Sequence, residues 1–416
     1  MADNQARPDD GAAYTTPLRA RLSWIAALAF ASGFPFGLIN ETVPIYLRTH
    51  GASLVEIGQL AKLSLPWSLK WLWAPLVDRY GTRRHWIAGC LTGVAALTFG
   101  LGTLDAGTLG VGFWIILFAI VFLSATQDVA IDAYTIQSTT TRELGVANSV
   151  RITLYRIGML TAGGLLVWLA GRIGWTESFS AGAVVLGALA LCALFLPAVD
   201  RRTPRPASLW DPLRELLSRP GIATVIVFAL IFKLDIAALE PMMRPFWVDT
   251  GLTLEEIGAV VTSGRLVATI AGAAVGGLFT TRYGIFTGLW VLGLVQAFSG
   301  LVYWGIAEAA DVHFVIGTVA IRFQSLVIGG AYFESFAAGL GTSAYLAFLM
   351  SVCEKRYAAT QFAVLSALLA LTRWIAGDIS GELAERLGYA NYFLLTFLVG
   401  LPAFALIPRL RRAARQ

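Results

Sequence analysis

Two aspartates stand four residues apart in an otherwise apolar stretch: Asp128 and Asp132, within Val111–Thr135. On a helix that spacing puts both on one face. A carboxylate pair inside an apolar segment can take up and release protons, or it can hold buried cations. Two cations lie in comparable surroundings, Lys70 in LPWSLKWLWAPLVD and Arg156 in YRIGM. Charges like these are costly in lipid and must pair or face water. At about 1.5 Å of rise per residue from the nearest loop, Asp132 lies about 14 Å deep, Lys70 about 12 Å and Arg156 about 15 Å. Asp128 is a turn further in, at about 20 Å. We therefore expect a network of Lys70, Asp128, Asp132 and Arg156, with Gln127 beside it as a hydrogen-bonding group. Two readings stand at this point. The network binds a solute and moves protons, or it is a static ion-pair latch; Gln127 meets a solute, or it joins two helices.

A second set of charges lies further along the chain. Glu41 and Glu240 each come near the far end of an apolar segment, and a proline follows each, Pro44 and Pro241. Proline removes a backbone donor and loosens the preceding turn, as a gating helix tip requires. These two are gate carboxylates or simply lie at the membrane interface. Asp235 with Arg265, and Glu334 with Arg373, form two further acid–base pairs. Each pair faces a solute or only stabilises the bundle. Arg244 and Asp378 read as interfacial, and Arg322 is left without a role. Arginines in a cavity suit an anionic solute, through paired bonds to carboxylate or phosphate. Trp67, Trp71 and Trp73 either stack on a planar ring or pack on lipid and neighbouring helices.

Other chemistry is excluded or unsupported. There is no phosphate-binding loop and no HExxH motif, so neither ATP hydrolysis nor zinc-dependent hydrolysis is indicated, and we expect no enzymatic activity. His50, His85 and His313 fall in or beside loops. Cys90, Cys192 and Cys353 are far apart, without metal-ligand or disulfide spacing. We expect no cofactor and no metal.

The elements that must position these residues follow from composition. The 416 residues are 57% hydrophobic and 14% charged, against about 25% charged in a soluble protein. Apolar runs of about 20 residues recur, each long enough to cross a hydrocarbon core of about 30 Å. They lack the alternation of barrel strands. We read twelve spans: Leu22–Leu47, Ser53–Leu76, Trp86–Leu104, Val111–Thr135, Val146–Ala170, Ser178–Leu196, Ile222–Val248, Leu254–Phe279, Ile285–Ile306, Leu326–Val352, Ala358–Leu383 and Asn391–Ile407. The stretch before the tenth is ambiguous over residues 309–326, and Val312–Phe323 is assigned to an extended or interfacial connection.

Arginine and lysine crowd one side of this arrangement. Loops and tails on the side of the N-terminus hold nineteen and the opposite loops three. Positive residues are retained inside, so both termini are expected in the cytoplasm. The net charge of +5 gives no sign of nucleic-acid binding. The expected partners are a small-molecule solute, protons and the lipid bilayer. Residues 1–18 read as a disordered tail without a cleavable signal, and 408–416 as a basic tail. The hydrophilic stretch 197–221 separates a six-helix bundle, 19–196, from a second, 222–407. The two repeat one another. GASLVEIG at Gly51–Gly58 returns as GLTLEEIG at Gly251–Gly258, DRYG at Asp78–Gly81 as TRYG at Thr281–Gly284, and LAGRIGW at Leu169–Trp175 as LAERLGY at Leu383–Tyr389. Three matches in one order argue for duplication, an architecture of secondary transporters. Gly272 and Gly276 add a GxxxG spacing for close helix approach.

With these residues in hand, the chain resembles the major facilitator superfamily. The turn Asp78-Arg79-x-Gly81-x-Arg83-Arg84 looks like that superfamily's signature loop; Pro75 departs from it, and the second copy keeps only Arg282 and Gly284. LPWSLKWLWAPLVD, SATQDVAIDAY at Ser124–Tyr134, GFPFG at Gly33–Gly37 and YRIGM at Tyr155–Met159 resemble the peptide–acetyl-CoA–drug transporter family, which includes bacterial muropeptide permeases and siderophore importers. The resemblance implies an all-α fold of two six-helix bundles in the inner membrane, a monomer, and proton-coupled import of a bulky polar or anionic solute by alternating access. A siderophore importer, a proton-driven drug exporter and a non-transporting sensor or lipid-handling protein stay open. It also implies that Asp78, Arg79, Gly81, Arg83 and Arg84 form a cytoplasmic latch. Asp78 would cap a facing helix, and the arginines would pair with Glu143 or Glu354; the charges otherwise serve topology alone.

Overall fold

The structure is a computed structural model that describes residues 17–104, 110–139, 144–197, 211–219, 221–309, 314–316, 319–352 and 358–413. The chain is a multi-pass membrane protein whose membrane-spanning segments are all helical. Among the described residues, ten helices are long and apolar enough to cross a membrane. Two features reconcile ten with twelve crossings. The helix Ala358–Gly400 is two helices meeting at Gly388, whose φ is +74°. The second span, residues 54–79, is broken into short α and 3₁₀ pieces.

That break departs from the continuous second span expected from hydropathy. Pro66 stands near the start of Leu65–Leu69, and Pro75 near the start of Ala74–Arg79. Each lacks an amide donor for the preceding turn, so each begins a fresh helical piece. The 3₁₀ turn Lys70–Leu72 lies between them. Proline acts similarly in the first span, Leu18–Thr49. There a π-helical segment, Leu38–Thr42, lies just before Pro44 and contains Glu41. Such bulges recur at functional sites.

Residues 222–249 form the seventh span, broken between Ile222–Ile231 and Leu234–Asp249. The break frees carbonyls of the last turn. Ala229 O accepts from the Tyr345 hydroxyl at 3.0 Å, and Leu230 O from Thr372 Oγ1 at 3.0 Å. Inside a membrane such groups must be answered within the protein.

The repeat is visible in the backbone. Gly51 and Gly251 have φ of +80° and +81°, Gly81 and Gly284 +69° and +86°, and Gly174 and Gly388 +97° and +74°. These left-handed turns suit glycine alone, because it has no Cβ to clash. After the first pair, Ser53 and Glu56 cap a helix reciprocally, and so do Thr253 and Glu256. Among the described residues, six of the seven positive-φ glycines thus fall into the three repeated motifs.

By contacts the chain forms two compact units. One holds Met1–Val43 and Leu69–Arg205; the other holds Pro44–Ser68 and Pro206–Gln416. The segment Pro44–Ser68 therefore packs with the second half of the chain. In that unit an aromatic core joins the seventh, tenth and twelfth spans. Phe232 stacks on Tyr345 with centroids 5.6 Å apart, and Phe228 meets Phe348 edge-on at 5.2 Å. The tenth span, Phe323–Val352, crosses the eighth, Ser263–Tyr283, closely. A Cβ on Gly272 or Gly276 would run into the backbone of Phe336 or Leu340, so the GxxxG spacing serves packing here.

Three boundaries are settled locally. Two short antiparallel strands, Phe314–Ile316 and Val319–Ile321, occupy the stretch assigned to an extended connection. Within the linker, Asp211–Ser218 is helical; it buries Leu216 in the second unit, and Arg219 bonds Val352 O at 2.7 Å. At the C-terminus the helix Pro402–Ala413 continues through most of the expected tail, because LIPRLRR still presents an apolar face. The expected disordered N-terminal tail lies outside the described residues as far as residue 16.

Candidate functional site

In the first unit the fourth span, Val111–Gln137, carries Asp128 and Asp132 on one face, as the spacing dictates. Asp132 sits between two cations. Its Oδ2 is 3.4 Å from Lys70 Nζ of the second span. Its Oδ1 accepts a bond from Arg151 of the fifth span, residues 144–173. About a third of each side chain is exposed, 32% for Lys70 and Asp132 and 39% for Arg151. Asp128 Oδ1 accepts from the Ser32 hydroxyl of the first span. The cluster therefore ties together four helices, and the 3₁₀ turn fixes the start of the Lys70 side chain.

Arg156 was expected in this network, and Arg151 takes its place. Five residues turn a helix through about 500°, so the two arginines point about 140° apart. Depth along a helix places a charge, but the angle around the axis decides what it meets. Among the described residues Arg156 makes no ion pair. Gln127 is fully buried, and neither of its amide atoms has a partner among the described residues; Ser124 Oγ, one turn away, is likewise unanswered. Trp73 packs on the fourth span, donating to Thr126 Oγ1 at 3.1 Å and lying 4.9 Å from the Phe122 ring.

The charged turn that follows is partly described. Gly81 supplies the left-handed bend, and Arg83 Nη1 donates to Val77 O at 2.8 Å, closing the last turn of the second span. Arg84 is exposed. The side chains of Trp71, Asp78 and Arg79, with Glu143 and Glu354, lie outside the described residues.

The second unit contains two polar clusters, and its pairings differ from those expected. Asp235 does not meet Arg265. Both its oxygens accept from Gln296 Nε2 at 3.0 Å, and it lies against Gly400 of the twelfth span. Gln296 Oε1 in turn accepts from Lys233 Nζ at 2.5 Å, and Lys233 also bonds Thr342 Oγ1 at 2.8 Å. Lys233, Asp235 and Gln296 are all at most 4% exposed. The ammonium sits near the faces of Phe232 and Tyr345, at 6.0 and 5.9 Å from their centroids. Sequence reasoning missed Lys233, although the rule that singled out Lys70 applies equally to it.

Arg265 instead faces Glu334, 3.4 Å from its Oε2. Arg373 pairs not with Glu334 but with Glu240, also at 3.4 Å. The exchange again reflects angles around helices that depth alone does not give. Arg244, expected at the interface, is 7% exposed and donates to Glu240 O at 2.8 Å. Glu41 is half-buried in its π-helical turn.

The second unit has a further charged group at the ends of its segments. Arg48 forms two bonds of 2.6 Å to the two oxygens of Asp249, and Tyr389 donates to the same carboxylate at 2.7 Å. Lys62 pairs with Asp378 at 2.8 Å, and the Val55 amide donates to Glu385 at 3.3 Å. These bonds hold Pro44–Ser68 to the seventh and eleventh spans.

The comparisons with known proteins agree with this architecture. The sequence profile of the Major Facilitator Superfamily matches residues 25–377. The anhydromuropeptide permease of Escherichia coli is 30% identical over 93% of this chain and 79% of its own length. An uncharacterized protein of Haemophilus influenzae is 34% identical over 91% of both chains. Among solved structures, the nucleoside transporter NupG is similar with a TM-score of 0.72 at 12% identity, covering 95% of this chain and 99% of that one. A bacterial homolog of the human lysosomal transporter Spinster has a TM-score of 0.68 at 15% identity, covering 96% and 98%. At such identities the structural likeness speaks for the fold alone. The match over most of the chain, together with the helical architecture, makes this protein a member of the Major Facilitator Superfamily of transporters.

Proposed function

We propose that the protein is a proton-coupled importer of anhydromuropeptide-like solutes across the cytoplasmic membrane, working by alternating access as a monomer. Both termini lie in the cytoplasm, and the two halves, 19–196 and 222–407, act as the moving bodies. The observation that carries the reading is the fourth-span pair. Asp132 is held between Lys70 and Arg151, while Asp128, one turn away, has the Ser32 hydroxyl as its partner. Asp132 is already engaged by two cations, whereas the partner of Asp128 is a neutral hydroxyl, so we assign to Asp128 the uptake and release of the proton. Lys70 and Arg151 keep Asp132 in place and present positive charge to an anionic solute. The relative named anhydromuropeptide permease supports the solute class. Asp78, Arg79, Gly81, Arg83 and Arg84 serve as the cytoplasmic latch; the repeated turn glycines and the basic loop support that role.

A thermal-shift screen of the purified protein tests the solute. Ligand stabilises in proportion to the logarithm of its excess over Kd. Anhydromuropeptides should raise the melting temperature, and ferri-siderophores, coenzyme A esters and lipophilic cations should not. A shift with one of the other classes alone would replace the solute assignment.

A further inference from the structure

The third and sixth spans, Arg83–Thr103 and Trp175–Ala193, meet closely at one end. A Cβ on Gly102 would stand 3.0 Å from Phe179 Cβ and 3.1 Å from Thr176 O. Toward the other end, beside the charged turn, a cavity of about 550 Å³ lies between them. His85, Gly89, Thr92 and Ala95 line it from the third span, Gly187 and Leu191 from the sixth. Gly89, Thr92 and Leu191 are exposed, so the groove opens outward from the bundle, and within a span that side meets lipid.

Room and charge both fit this groove to one kind of occupant. A Cβ on Gly89 or Gly187 would have nothing within 4 Å. Neither glycine is needed for a helix contact, although glycine within a helix is about 1 kcal/mol less favourable than alanine. Without side chains there, the groove stays open. From His85 to Ala95 the lining climbs about 15 Å, half of a hydrocarbon core of about 30 Å. The groove therefore runs the depth of one leaflet, the length that an acyl chain occupies.

Positive charge stands at its mouth. Arg84 lies about three turns before Ala95 and so on the same face of the helix. It is exposed, and among the described residues no group bonds its guanidinium. His85 is exposed too; Thr82 Oγ1 lies 2.8 Å from its Nδ1, which fixes the ring and leaves Nε2 to bond elsewhere. Thr82 gives the helix no side-chain cap, so the positive end of the helix dipole adds to these charges. Trp86, donating to Tyr80 O at 2.5 Å, marks this level as the membrane interface, where tryptophan collects. Basic groups above a groove between membrane helices suit an anionic headgroup.

We propose that this groove binds one anionic phospholipid of the phosphatidylglycerol type, with its phosphate on Arg84 and His85 and one acyl chain between the third and sixth spans. Its place in the cytoplasmic leaflet rests on the orientation proposed above, whereas the site itself does not. A free phosphate would leave the apolar groove unused, and a neutral lipid would leave the arginine unused.

Native mass spectrometry of the delipidated full chain, with lipid added back, counts what is bound. Phosphatidylglycerol should bind wild type about fivefold more tightly than phosphatidylcholine with the same chains, the worth of one arginine near an anionic headgroup. Arg84→Gln should remove that preference. Gly89→Leu and Gly187→Leu should fill the groove and lose the lipid, with melting temperatures in lipid-free detergent close to wild type. Gly100→Leu, equally open on the third span but outside the groove, should keep it. Phosphatidylglycerol should raise the melting temperature of wild type, and inorganic phosphate should not. Equal binding of the two lipids, full binding by both filled variants, or stabilisation by phosphate alone would overturn the proposal. A dimer that Gly187→Leu splits would give the groove to a second copy of the chain instead.

Discussion

Arg48 and Asp249 bond each other through two parallel contacts of 2.6 Å, and they stand just ahead of the two copies of one motif. Arg48 precedes Gly51 of GASLVEIG, and Asp249 precedes Gly251 of GLTLEEIG. Each glycine turns the chain, and each turn leads into a helix capped in the same way. A duplicated corner has thus acquired opposite charges in its two copies, and the charges now join them.

The paired geometry makes this contact stronger than an ordinary exposed ion pair, at about 1–2 kcal/mol. Arg48→Ala or Asp249→Ala should each lower stability by about that amount. The swap Arg48→Asp with Asp249→Arg should recover part of it in a double-mutant cycle. Additive losses, measured by thermal unfolding, would mean that the two charges do not interact.

The Lys233–Gln296–Asp235 cluster is a structural element of the second unit, since all three groups are buried and answer one another. Removing one member leaves an uncompensated charge. Lys233→Ala should cost about 3–5 kcal/mol. Lys233→Met combined with Asp235→Leu should cost less than Lys233→Ala alone. Chemical unfolding monitored by helix content reads both. A mild effect of Lys233→Ala would show that water reaches the site.

Gly272 and Gly276 should tolerate no side chain, because the backbone of the tenth span lies where Cβ would go. Gly272→Leu should lower folded yield sharply. Gly277→Ala is the control, since nothing stands within 4 Å of its added Cβ. Equal yields for the two variants in size-exclusion analysis would contradict the close crossing.

Much of this molecule was legible in the sequence, for identifiable reasons. Hydropathy gave the spans because a bilayer imposes one length on every crossing. The repeated motifs gave the turns because only glycine adopts them, and six of those glycines do carry positive φ. The pairing of charges was less legible. Counting residues gives depth, so Lys70 and Asp132 were matched correctly. It does not give the angle around a helix, so Arg156 stood in for Arg151, and Arg265 and Arg373 exchanged partners. Proline signalled the broken second span, yet the apolar run concealed it. Lys233 was visible and overlooked. Its partner Gln296 carries no charge, and nothing in its spacing marks it.

Asp128→Asn and Asp132→Asn should separate the two roles proposed in the first unit. Asp132→Asn leaves Lys70 and Arg151 without their shared carboxylate, so it should lower stability as well as activity. Asp128→Asn replaces a group bonded to a serine hydroxyl, and it should fold with a melting temperature close to wild type. If Asp128→Asn is the less stable of the two, the assignment of structural and proton-carrying roles is reversed.

The central claim is that a proton gradient drives solute uptake through Asp128. The direct measurement is uptake of a radiolabelled anhydromuropeptide into proteoliposomes with an imposed pH gradient, acid outside. Wild type should concentrate the solute, and a protonophore should abolish the accumulation. Asp128→Asn should still exchange solute across the membrane without concentrating it. Accumulation that ignores the protonophore, or that persists at wild-type level in Asp128→Asn, would contradict the account.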